Sequence, residues 1–195
     1  MTRLRRYTEL PFLMEYLSTG RLAFLDPSKW EDGNDRRRLE EYRNLGGFNS
    51  IYACCLAECS ETYHHWKIYS KGLNGVCVEF EKDELIDSLD QQNCIHKSVQ
   101  YLNWEILEQT QFALDERPFV KRDVFKDEVE YRIIVTSPEE QRPVLFQNVP
   151  LTALRKIIIN PWMPESTAHE VFRILELLPV GKDLSLWRSQ LLGPT

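Results

Sequence analysis

The chain is 195 residues long, 43% hydrophobic and 28% charged, the balance of a soluble globular domain large enough to bury a core without disulfides or metal. Its net charge of −6 excludes a global positive field toward nucleic acid or anionic membrane, leaving local clusters at Arg3, Arg5 and Arg6 and at Arg36 to Arg38 to hold a phosphate. No apolar run approaches the roughly 18 residues that span a bilayer, no signal-peptide core is present, and an odd count of five cysteines points to reduced thiols in the cytoplasm.

In chain order, Leu4 to Tyr7 reads as a short strand and Thr8 as an N-cap. Leu10, Leu13, Met14 and Leu17 then recur at helical spacing until Gly20 closes the helix. Arg21 to Leu25 is a strand, Asp26 to Asp35 a turn-rich loop, and Arg36 to Leu45 a charged surface helix broken by Gly46-Gly47. Ser50 to Ala57 reads as a buried strand and Glu61 to Tyr69 as a helix. Gly72 and Asn74-Gly75 turn the chain into the strand Val76 to Phe80. A short helix near Asp83 to Leu89 and a strand over Lys97 to Leu102 follow. Trp104 to Leu114 reads as a helix, and Pro118 ends it.

The run Phe125 to Val135 is the most informative stretch. Read as one strand, it places Glu128, Glu130 and Arg132 on one face, each about 7 Å from the next. Three charges on one face of an apolar strand are costly unless they are paired, solvated at an edge, or used. An edge strand with a solvated polar face is the plain alternative. Strands over Val144 to Asn148 and Arg155 to Asn160 come next, and Glu165 to Leu178 is the clearest helix, with Ala168, Val171, Phe172 and Leu175 on one stripe. With no internal repeat and no linker, a single domain over residues 1–195 is expected. Short strands intermixed with helices predict an α+β fold, a mixed and mainly antiparallel central sheet with flanking helices.

Metal chemistry finds little support: no paired Cys-x-x-Cys occurs, and Cys54, Cys55 and Cys77 fall within core strands, so no metal is expected. Nucleophile elbows, zinc-protease helices and Walker loops are absent as well. The stretch Ser60 to Phe80 carries more. A hydroxyl at a strand end, with Trp66 and Tyr69 three apart on one helix face, suits a pocket that stacks a flat ring, or else two aromatics that pin a helix to a sheet. Arg6-Tyr7 leaves a strand just before a helix, where a guanidinium and backbone N–H groups together hold phosphate.

These same residues carry a resemblance. In order come Arg6-Tyr-Thr, Gly20-Arg-Leu-Ala-Phe with Trp30-Glu-Asp32, Cys55-x-x-x-Cys59-Ser60, Trp66-x-x-Tyr69, Gly75-Val-Cys-Val-Glu-Phe80, Lys121, and Glu128-x-Glu130-x-Arg132. Together they resemble the bacterial and phage-associated family called domain of unknown function 2971. More distantly, Arg6, Ser60 and Glu128-x-Glu130 are similar to the Arg-Ser-Glu pattern of ADP-ribosyltransferases. That likeness implies an ADP-ribosyltransferase-like fold with NAD as substrate. Arg6 would hold the pyrophosphate, Ser60 would orient the glutamate and the nicotinamide ribose, Glu130 would be the catalytic carboxylate, and Glu128 would position the acceptor. Arg5 fits the arginine position as well as Arg6 on spacing. Arg132 is either a partner that positions Glu130 or one that neutralises it.

The implied function is an NAD-consuming enzyme, an ADP-ribosyltransferase or NAD glycohydrolase acting as a toxin or phage-defence effector. Its NAD would lie in a cleft formed by Arg6, Ser60, Trp66, Tyr69 and Glu130, with Tyr7, Glu128, Lys121 and Arg132 as further contacts. Its partners would be a nucleotide and a protein or nucleic-acid acceptor, without a membrane. The competing reading is a non-catalytic module that binds nucleotide, nucleic acid or protein on the same scaffold.

Overall fold

The computed structural model describes residues 3–70, 72–178 and 184–193. The chain begins with β1 (Arg3–Glu9), α1 (Leu10–Thr19), β2 (Arg21–Leu25), α2 (Gly33–Gly46) and β3 (Ser50–Ala57). It continues with α3 (Tyr63–Tyr69), β4 (Gly75–Glu81), α4 (Lys82–Asp87), β5 (Cys94–Ser98), β6 (Gln100–Leu102) and α5 (Trp104–Gln109). After these come β7 (Val120–Arg122), β8 (Glu130–Ser137), β9 (Val144–Asn148), β10 (Leu154–Ile159), α6 (Glu165–Glu176) and β11 (Ser185–Arg188). The fold is α+β with mixed, mostly antiparallel strand pairing, as expected from the sequence. No helix among the described residues is long and apolar enough to cross a membrane, and all five cysteines are free.

Two compact units divide the chain. The first takes the residues up to Leu22, Leu56–Leu89 and those from Asn148 onward. Its strands run β11-β10-β4-β1. β1 pairs antiparallel with β4 from Arg3↔Glu81 to Glu9↔Gly75, β10 lies antiparallel on the other side of β4, and β11 is parallel to β10. Because β4 is flanked on both edges, every one of its residues is buried. Leu4, Val76, Phe80, Leu85, Ile157 and Ile159 are fully enclosed, and α1 turns Leu13, Tyr16 and Leu17 inward. Gly20 ends α1 at φ 66°, the left-handed conformation that glycine adopts without a Cβ penalty. Thr8 stays in β1 instead of capping α1; Glu9 holds that position without a side-chain cap.

The second unit takes Ala23–Cys55 and Asp90–Gln147. β2 pairs with β3 (Leu25↔Ala53), and β8 lies between β3 and β5, with β5 in register from Cys94↔Val135 to Ser98↔Tyr131. A short parallel ladder joins β6 to β7. Leu39, Tyr42, Ile51, Ala53, Phe119 and Ile134 form its core. α2 starts earlier than the charge pattern suggests, because Asp32 Oδ1 caps it by accepting from the N–H groups of Asn34 (3.0 Å) and Asp35 (3.5 Å).

Three expectations are corrected in this unit. The strand Lys97 to Leu102 is two strands, since β5 ends its ladder with β8 near Ser98 and Gln100 to Leu102 pair in parallel with β7 instead. The α5 helix ends at Gln109, and Pro118 lies inside a separate 3-10 turn, Leu114–Phe119. The run through Glu130 is no solvated edge: β8 has neighbours on both sides, and Glu128 is not on it. Glu128 ends a 3-10 turn, Asp123–Glu128, and Val129 reverses the backbone at φ 42°, ψ 53° before the strand begins.

Gly75 shows how tightly the first unit is packed. A Cβ there would collide with Ser70 Oγ and lie 2.8 Å from Asn160 Nδ2, while Asn160 itself ties the Gly72 carbonyl (2.9 Å) to the Trp162 N–H (2.8 Å). Gly75→Ala is therefore expected to lower stability by about 1–3 kcal/mol in urea unfolding, with the slope of the transition unchanged.

Candidate functional site

In the second unit, five ionisable side chains converge from four elements. Asp35 comes from the first turn of α2, Lys121 from β7, Glu128 from the 3-10 turn, and Glu130 and Arg132 from one face of β8. Arg132 is completely enclosed, and all five of its N–H donors find acceptors. Its Nε and Nη2 donate to the two oxygens of Glu130 at 2.7 and 2.8 Å. Its Nη1 and Nη2 donate to Asp35 at 2.7 and 2.8 Å, and Nη1 also donates to the Pro118 carbonyl at 2.8 Å. The Trp30 ring lies 5.0 Å from the guanidinium carbon. Lys121 Nζ is 2.6 Å from Glu128, 3.5 Å from Asp35 and 3.6 Å from Glu130. Tyr101 accepts the Glu130 N–H through its hydroxyl at 2.9 Å.

Three carboxylates thus face two cations in a nearly solvent-free cluster. Burial by itself would raise the Glu130 carboxyl, but the Arg132 charge and its hydrogen bonds, then Lys121, pull it down to about 2. Arg132 is held well above the ordinary arginine value by Asp35 and Glu130 against the opposing effect of burial. Glu130 is accordingly an ionised carboxylate with fixed orientation. Cys55 of β3 is exposed, in contrast to the core position expected for it, while its neighbours Cys54 and Leu56 are buried.

In the first unit, the two candidate arginines separate. Arg5 is committed: Nη1 donates to the Cys59 carbonyl at 2.6 Å and Nη2 pairs with Glu79 at 2.8 Å. Arg6 points to the other face of β1, opposite Val78, and its Nη1 is buried without a hydrogen-bond partner among the described residues. Next to it, the Tyr7 ring stacks on His65 (centroids 5.1 Å, interplanar 19°) and meets Trp66 edge-on, with its hydroxyl buried beside the Cys77 thiol. Burial, then the neighbouring Cys77, raises the Tyr7 phenol far above its usual value.

Thr62 Oγ1 caps α3 by accepting the His65 N–H at 3.2 Å and lies 2.6 Å from His65 Nδ1. Trp66 is fully enclosed, and its Nε1 donates to Glu61 at 3.0 Å, so this ring pins α3 to the sheet and has no free face for a ligand. Tyr69 is 41% exposed and in contact with the His64 and His65 rings, and Ser60 lies exposed past the end of β3.

Arg6, Tyr7, Ser60, Trp66 and Tyr69 fall in the first unit, with Tyr7, Trp66 and Tyr69 linked by ring contacts through His65, and Lys121, Glu128, Glu130 and Arg132 come together in the second. Asp35 and Tyr101 were missed from sequence, and neither carried a local signal there, whereas Trp30 stood among the ordered motifs. Among the described residues no group of three or more His, Cys, Asp or Glu is arranged to hold a metal ion.

Two outcomes follow for the second unit. The Glu130 carboxyl is depressed in the folded state, so its contribution is present above the unfolded value near 4.5 and is lost as pH falls toward 2. Denaturant titrations from pH 5 to pH 2 are expected to lose roughly 3 kcal/mol through this group, and Glu130→Gln is expected to flatten that limb. Val129 is β-branched in left-handed backbone, a conformation costing about 1–3 kcal/mol. Val129→Gly is therefore expected to raise the melting midpoint by a few degrees in calorimetry.

The whole chain has known structural relatives. It is similar to DarT of Thermus sp. 2.9 in complex with NAD+ (12% identity, TM-score 0.53, covering 99% of this chain and 98% of that one). The same protein in complex with carba-NAD+ gives 11% identity and TM-score 0.51 over 99% and 98%. In complex with ADP-ribosylated ssDNA it gives 12% and 0.50 over 99% and 96%. At these identities the likeness is one of fold. No curated protein matches the sequence. Residues 65–133, which hold Trp66-x-x-Tyr69, Gly75 to Phe80, Lys121 and Glu128-x-Glu130-x-Arg132, match the family described as "Protein of unknown function (DUF2971)", the family that these ordered motifs resemble.

Proposed function

We propose that the protein consumes NAD, as an ADP-ribosyltransferase or an NAD glycohydrolase. The observation that carries this reading is Arg6: a buried guanidinium nitrogen without a partner, on a strand whose neighbouring arginine is engaged by Glu79 and the Cys59 carbonyl. Such a nitrogen is costly to leave unsatisfied, and an anionic oxygen of a diphosphate meets it with a charge-assisted hydrogen bond. The fold shared with DarT, solved with NAD+ and with carba-NAD+, supports NAD as the diphosphate in question.

In this reading Arg6 anchors the diphosphate, Ser60 orients the nicotinamide ribose, and the half-exposed Tyr69, not the enclosed Trp66, is the aromatic contact. Glu130, ionised at any working pH, stabilises the positive charge that develops on the ribose as the bond to nicotinamide lengthens. Arg132 and Lys121 fix its orientation, and Glu128 positions the acceptor. A toxin or phage-defence effector fits this chemistry, since turnover depletes a shared cofactor.

Calorimetric titration with NAD and a nicotinamide-release assay test the proposal together. Arg6→Gln is expected to weaken NAD binding at least about tenfold, the loss of one charge-assisted hydrogen bond. Glu130→Gln is expected to keep binding and lose release by about a hundredfold or more, with Glu130→Asp as a second variant and melting curves to verify folding. Absence of NAD binding, with release no higher than in Glu130→Gln, would sink the proposal.

One observation favours a second reading. Arg132 occupies both Glu130 oxygens, as it would in a recognition module whose carboxylate is purely structural. In that case NAD or another nucleotide binds, and neither protein releases nicotinamide.

A further inference from the structure

The motif Trp30-Glu-Asp32 has no part in the roles above, yet it leads straight into the buried cluster of the second unit. Trp30 lays its ring 5.0 Å from the Arg132 guanidinium carbon, and Asp32 caps α2 through the N–H groups of Asn34 and Asp35. Capping fixes the first turn of the helix, and that turn carries the buried Asp35 onto Arg132.

The cluster holds three carboxylates, Asp35, Glu128 and Glu130, against the two cations Lys121 and Arg132, so one negative charge is in excess. Each cation has a carboxylate besides Glu130. Asp35 meets Arg132 with both oxygens, at 2.7 and 2.8 Å, and Glu128 meets Lys121 at 2.6 Å, whereas Glu130 stands 3.6 Å from Lys121. Without the Asp35 charge the cluster would be neutral, and Arg132 would belong to Glu130 alone. The field of Glu130 on a cation developing in the substrate would then be cancelled by its own neighbour at 2.7 Å. An excess carboxylate is costly to keep in a nearly solvent-free place, and a cluster built only for stability is better served by equal numbers.

We propose that Asp35 is a positioning residue of the NAD-consuming reaction. It supplies the counter-charge of Arg132, so that the guanidinium orients Glu130 through two hydrogen bonds without cancelling its charge. The excess negative charge is thereby left for the ribose as the bond to nicotinamide lengthens. Asp32 and Trp30 act one step further back, the first by holding the turn that bears Asp35 and the second by covering the guanidinium. The role rests on the NAD-consuming reading, with Glu130 as its carboxylate.

Nicotinamide-release kinetics on the full chain test it, with NAD binding followed by calorimetry and folding by melting curves. Asp35→Asn removes the charge and keeps an acceptor oxygen. It is expected to lower kcat at least about tenfold and to leave the Kd for NAD within about twofold. Asp35→Glu, which keeps the charge, is expected to hold kcat within about threefold of the wild type. A residue needed only for its shape gives the opposite order, since asparagine and not glutamate matches aspartate in size. Asp32→Ala leaves all five cluster charges in place and is expected to lower kcat severalfold, whereas Asp32→Ser, also a helix cap, retains it. This second pair decides the matter alone should Asp35→Asn not fold. Unchanged kcat in Asp35→Asn, a loss in Asp35→Glu as large as in Asp35→Asn, or equal rates in Asp32→Ala and Asp32→Ser overturns the role of Asp35 while wild-type release keeps the enzyme. A wild-type protein that releases no nicotinamide removes the enzyme and this role with it.

Discussion

The second unit is organised around the Arg132 guanidinium. It is a charge without solvent contact whose five N–H groups demand acceptors in fixed directions, and the chain meets that demand from three places: Glu130 two residues before it, Asp35 on α2 and the Pro118 carbonyl. Each supplier is constrained in return. α2 must begin where Asp32 caps it so that Asp35 faces inward, and the 3-10 turn containing Pro118 must deliver a carbonyl to the same point. The excess of carboxylate draws in Lys121, and Lys121 in turn draws in Glu128. Breaking one partner of such a buried set costs about 3–5 kcal/mol, so its members hold one another in place.

A different solution governs β1. Strand alternation puts Arg3 and Arg5 on the face that meets Glu81 and Glu79 of β4, and both pair there. Arg6 falls on the opposite face, across from Val78, where β4 offers no carboxylate. The same alternation that neutralises two arginines leaves the third with an unsatisfied nitrogen, and no difference in residue type is needed to distinguish Arg5 from Arg6.

Much of this was legible in the sequence. The apolar periods located β1, α1, β2, β3, β4, β10 and α6, and Gly20 and Gly47 end their helices in left-handed backbone as glycines there should. What sequence missed was decided by partners far along the chain. Asp35 looks like one more polar loop residue until Arg132, 97 residues away, is seen to need it. β7 and β11 are too short for any period to register, and they exist because a neighbouring strand has hydrogen-bonding groups to share. Glu128 and Glu130 read as one face of a strand, because alternation cannot foresee that Val129 would take a conformation disfavoured for valine. Trp66 and Tyr69 share a helix face by spacing; only the structure shows that Trp66 is enclosed and Tyr69 partly exposed.

The division of the chain between its units bears on synthesis. Every residue of the second unit has been made by Gln147, whereas the first unit lacks β10 until Ile159. A chain growing from its N-terminus can close the Arg132 cluster while β4, buried along its whole length in the finished protein, still has one edge bare. Unpaired apolar edges of this kind are where nascent chains associate wrongly. That edge of β4, complete at Glu81, therefore waits for its partner strand until Ile159 has been made.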